Sequence, residues 1–86
     1  MAGRHRRPVR AQHLTIRGDS SYVFVEKPGD ELINQVLRRG RTELFSGPTL
    51  HVRLGNAGAV VLQINGQPPR VAGAPGQALE FVIRPA

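Results

Sequence analysis

The sequence predicts a small all-β domain, either a two-layer β-sandwich or a partly closed barrel of about seven strands. Three observations carry this. From His13 onward, short apolar runs are separated by Gly, Pro, Asn and Asp at intervals of about ten residues. Several of those runs alternate apolar and polar residues with period two, as a half-buried strand requires. Finally, 86 residues without a cysteine allow one domain that must hold by its own core.

Each element is justified in chain order. Residues 13–17 place Leu14 and Ile16 on one face, and Gly18-Asp19-Ser20 turns the chain. Residues 22–26, Tyr-Val-Phe-Val-Glu, are apolar on both faces and end at Pro28-Gly29, a strong turn signal. If Val23 and Val25 enter the core, Tyr22 and Phe24 lie on the other side. Residues 31–37 form a third strand; Leu32, Ile33, Val36 and Leu37 also fit a helical stripe, but the segment is short and turn signals flank it. Residues 42–45 form the fourth and stop at Ser46-Gly47-Pro48. Residues 50–54 are the cleanest strand, with Leu50, Val52 and Leu54 inward and His51 and Arg53 outward. Gly55-Asn56-Ala57-Gly58 breaks it in a tight turn. Val60, Leu62 and Ile64 then share a face, and Asn65-Gly66 is the dipeptide best suited to a two-residue hairpin. Pro68 and Pro69 confine the next segment to an edge or loop. Leu79, Phe81 and Ile83 alternate against Glu80 and Arg84 in the last strand. Strands in this number must pack as two layers or close on themselves, and the resulting small core implies a stability of only a few kcal/mol.

The formal net charge of +6 divides unevenly. Residues 1–12 hold Arg4, Arg6, Arg7 and Arg10 and no acid, and read as a disordered basic arm. The rest, the domain at 13–86, has eight basic and six acidic side chains. A polyanion could bind the arm, but nucleic acid is not the expected partner: the arm lacks aromatic residues and no strand is charged enough to read bases. The longest apolar run is about four residues, so no membrane helix or signal-peptide core is visible.

Catalytic chemistry finds no support. His5, His13 and His51 have no regular spacing, the acids are scattered over turns and outward positions, and no nucleophile elbow occurs. Neither catalytic nor metal nor cofactor residues are expected. Gly55-Asn56-Ala57-Gly58 matches the GXXG loop of KH domains in form, but it joins strand patterns rather than helices and has no basic residue. Arg17-Gly18-Asp19 is a three-residue match at an obvious turn and is read as that turn. Carbohydrate binding would need more exposed rings than Tyr22 and its neighbour supply. The candidate binding surface is therefore Tyr22 and Phe24, with His51 and Arg53 at further exposed positions.

The stretch from Leu54 to Gly66, with Gly-Asn-Ala-Gly, a strand and then Asn-Gly, closely resembles the C-terminal domain of RodZ-type bacterial cell-shape proteins. Asp19 to Val25, Gly29 to Leu32, Gly40 and Gly73 to Gln77 extend the likeness. Tyr22 stands where that family usually has Trp, and Arg41 where it usually has Glu. The resemblance implies a non-enzymatic module on the outer side of the cytoplasmic membrane, in a parent protein anchored by one membrane helix, with this chain beginning in the linker. It also implies partners among the cell-elongation and wall-synthesis proteins, or the wall itself.

Overall fold

A computed structural model describes residues 11–85. They form strands β1 (Gln12–Ile16), β2 (Ser20–Lys27), β3 (Asp30–Arg38), β4 (Thr42–Phe45) and β5 (Leu50–Leu54). A 3-10 turn (Ala57–Ala59) precedes β6 (Val60–Gln63), β7 (Arg70–Val71) and β8 (Leu79–Ile83). Two four-stranded sheets result, ordered β4-β1-β6-β7 and β3-β2-β5-β8. All neighbours are antiparallel. The sheets do not join into a barrel; they face each other as a sandwich.

Period-two alternation fills the space between them. Leu14, Ile16, Phe45, Val60 and Leu62 enter from one sheet. Val23, Val25, Ile33, Leu37, Leu50, Val52, Leu54 and Ile83 enter from the other. The middle strands of the second sheet contribute fully buried Val23, Val25 and Val52, and Tyr22 and Phe24 accordingly point outward.

Three details depart from the reading by alternation. The first strand begins at Gln12, inside the segment that reads as a basic arm. Its side chain is 3% exposed, and both ends of the amide are bonded: Nε2 donates to Asn65 Oδ1 at 3.0 Å, and Oε1 accepts the Asn65 N–H at 2.7 Å. There is also an eighth strand. The two-residue β7 pairs with β6 at the sheet edge, where the preceding prolines, which lack an N–H, can be accommodated. In β3, finally, the helix-like spacing has a strand explanation. Val25 pairs with Ile33 but Glu26 with Glu31, so Leu32 is the extra residue of a bulge. The bulge brings Leu32 against the core beside Ile33, while Val36 remains outside.

The Gly55–Gly58 segment carries the chain from one sheet to the other. Asn56 bonds both within its own turn and to distant segments: its carbonyl accepts the Ala59 N–H at 3.0 Å, while its N–H donates to Ser21 Oγ at 3.0 Å and its Nδ2 to the Ser20 carbonyl at 3.1 Å. Its Oδ1 accepts the Gly76 N–H at 2.7 Å. Here the Gly73–Gln77 loop lies so close that a Cβ on Gly58 would overlap the Pro75 backbone. Glycine is required by that approach.

Candidate functional site

The outer face of the β3-β2-β5-β8 sheet gathers the four residues singled out for binding. Register decides this. Phe24 lies opposite Arg53 and Glu26 opposite His51. On the next strand Arg53 meets Glu80 and His51 meets Val82, while on the other side Tyr22 meets Val36 and Phe24 meets Asn34. Cross-strand neighbours on one face are close enough for their side chains to interact directly.

The ring of Phe24 sits at the centre. The Arg53 guanidinium carbon stands 5.7 Å from its centroid, within cation–π range, and the His51 ring meets it edge-on at 6.4 Å. His51 is held from both sides. Its Nε2 lies 2.5 Å from Glu80 Oε2, and its Nδ1 3.5 Å from Glu26 Oε1. A carboxylate only accepts, so Nε2 carries the proton in the shorter contact. Arg53 Nε is 3.5 Å from the same Glu80 oxygen. The His51 hydrogen bond, aided by the Arg53 charge and opposed by desolvation, holds the Glu80 carboxyl below its ordinary value near 4.5. Tyr22 donates its hydroxyl proton to Asn34 Oδ1 at 2.7 Å, which fixes the ring over β3 next to exposed Val36.

The face is thus an aromatic and aliphatic surface with a charge cluster along one side. Tyr22, Arg53 and Glu80 of this face, with Leu54 and Gly55 at the end of β5 and Ala78 and Leu79 at the start of β8, also line a shallow open depression of about 360 Å³. Glu26, Asn34, Val36, Glu80 and Val82 belong to this face, although sequence reasoning does not single them out. Their outward parity is readable once strands are assigned, but only strand order shows that they surround Phe24.

Elsewhere, Gly55, Asn56 and Gly58 form the crossover described above. Asn65 and Gly66 turn the β6–β7 hairpin with φ of 53° and 76°, and the Gln67 N–H donates to the Ile64 carbonyl at 3.0 Å. Arg4, Arg6, Arg7 and Arg10 lie outside the described residues. Among the described residues no group of three or more His, Asp or Glu is placed to hold a metal ion, and no helix is long and apolar enough to cross a membrane. What the face offers chemically is contact area, one cation over a ring and polarised carboxylates.

The family model for the RodZ C-terminal domain matches residues 13–82. No curated protein and no solved structure matches the chain. The match spans the sandwich from β1 into β8 and includes every residue of the face just described, so this chain belongs to the RodZ C-terminal domain family, a module of RodZ-like cell-shape proteins.

Proposed function

We propose that this domain is a non-enzymatic interaction module that docks through the outer face of its β3-β2-β5-β8 sheet. It works on the outer side of the cytoplasmic membrane, in a parent protein held by one upstream membrane helix. Its partners are proteins of the cell-elongation and wall-synthesis machinery, or the wall itself. The single observation that supports this most is the clustering of Tyr22, Phe24, Val36 and Arg53 on one exposed face. Aromatic residues and arginine are the types that supply most binding energy at protein interfaces. Within the parent protein, Tyr22→Ala together with Phe24→Ala tests the reading. Loss of elongated cell shape and of partner co-purification, with the protein still folded, is expected; unchanged shape and unchanged partners overturn it.

The arginine arm carries a second reading, polyanion binding, favoured by the concentration of Arg4, Arg6, Arg7 and Arg10 in a segment without acids. Deleting residues 1–12 separates the two, since an arm-driven binder loses affinity and its salt dependence while a sheet-face binder keeps both. Because Gln12 is part of β1, the deletion is better ended at Arg10.

A further inference from the structure

At the β7 edge of the β4-β1-β6-β7 sheet, the β6–β7 hairpin encloses an open cup of about 400 Å³ lined by Leu62, Ile64, Asn65, Gln67, Pro68 and Arg70. That volume falls in the range of small-ligand sites, roughly 300–1,000 Å³. Its floor is apolar and its rim is held rigidly. Asn65 is fixed to β1 by the reciprocal amide bonds with buried Gln12, and its Nδ2 donates to the Arg84 carbonyl at 2.9 Å, tying the hairpin to the end of β8. A buried glutamine thus holds an exposed turn in one position, and Pro68 and Pro69 stiffen the chain that returns from it.

Charge distinguishes the cup. Lys27, Arg39, Arg41 and Arg53 lie against carboxylates, whereas Arg70, like Arg17, Arg38 and Arg84, has no ion-pair partner among the described residues; of these four it is the one that lines the cup, and no Asp or Glu lines it. Arg70 pairs directly with Leu62, so the backbone positions that carry the cation and the apolar floor stand one strand spacing apart, about 5 Å, and both side chains line the same cup of about 400 Å³. A ligand that uses both must carry an apolar group and an anion close enough together to fit that one cup.

We propose that the cup binds a short peptide ending in an apolar residue, with that side chain over Leu62, Ile64 and Pro68 and the terminal carboxylate on Arg70. A guanidinium and a carboxylate match as a planar fork and acceptor pair. A fatty acid offers the same head group but needs depth for its chain, and the cup floor is Leu62, itself part of the packed core.

The test is an NMR titration of the isotope-labelled 86-residue chain with acetyl-Gly-Leu-Leu, as free acid and as C-terminal amide. Saturable shifts of the Leu62, Ile64, Gln67 and Arg70 backbone amides are expected with the acid. The amide peptide should bind at least about tenfold more weakly, and Arg70→Gln should weaken the acid by a similar factor. The acid and amide peptides are compared on the unaltered protein, so that arm needs no variant to fold. Equal binding of acid and amide, full binding by Arg70→Gln, or shifts centred on other residues each overturn the proposal. So does palmitate if it moves the same amides at lower concentration than the peptide.

Discussion

The two sheets share one core and present opposite kinds of outer face. Outward strand positions of the β4-β1-β6-β7 sheet are His13, Thr15, Thr42, Leu44, Val61, Gln63 and Val71, without an acid, lysine or arginine. Leu44 and Val71 are 59% and 55% exposed. On the β3-β2-β5-β8 sheet, register instead assembles Glu26, His51, Arg53 and Glu80 around an aromatic ring. Both faces expose apolar area, so exposure alone does not mark a binding surface. The difference is charge: the second face couples apolar contact to a directional ionic cluster, while the first combines apolar contact with hydrogen-bonding side chains such as Thr15 and Thr42.

The largest effects should ignore this distinction, because both faces rest on the same interior. Leu14→Ala in one sheet and Leu54→Ala in the other should each cost about 2–5 kcal/mol in chemical denaturation, since each deletes a fully packed side chain. A cost below about 1 kcal/mol for either would mean that its sheet does not share the core.

Asn56→Ala should come next, at about 1–3 kcal/mol, because it removes the link between β2 and the Gly73–Gln77 loop and leaves the Gly76 N–H without its acceptor. This prediction sharpens the comparison, since it loosens one end of the sandwich without touching either outer face.

The charge cluster should contribute less to folding and more to titration. Glu80 has its carboxyl lowered in the folded state, so its stabilising contribution is present above the ordinary value near 4.5 and is lost as pH falls through the lower folded value. His51→Gln removes the main cause, and the Glu80 titration followed by NMR should move up. An unchanged titration would show that the His51 contact does not form in solution. Arg53→Ala should cost at most about 1 kcal/mol, measured the same way as the core variants, as expected for an exposed cation–π and ion-pair contact.

Much of this architecture is written in local patterning. The strand at residues 50–54 is legible because inward and outward positions alternate strictly and Gly55 closes it, whereas residues 42–45 are bounded by Gly40 and by Ser46-Gly47-Pro48 rather than marked by alternation, with Leu44 facing out. The outward position of Tyr22 and Phe24 comes from the same parity. Whatever depends on which strands become neighbours is not legible. Gln12 reads as the end of a basic arm because its partner, Asn65, is 53 residues away. The two-residue β7 carries no pattern, and Asn34 and Glu80 join Phe24 only through the order β3-β2-β5-β8. The bulge at Leu32 imitates a helical stripe because an inserted residue shifts parity within a strand.

The most direct measurement compares the two faces by substitution in the parent protein. Tyr22→Ala with Phe24→Ala alters one face, Leu44→Ala with Val71→Ala the other, and both double variants are assayed for co-purifying elongation-machinery proteins and for thermal stability. If the aromatic face is the docking surface, the first variant loses at least about tenfold in partner binding while staying folded, and the second binds as the unaltered protein does. Retained binding by the first variant, with loss by the second, would contradict the account.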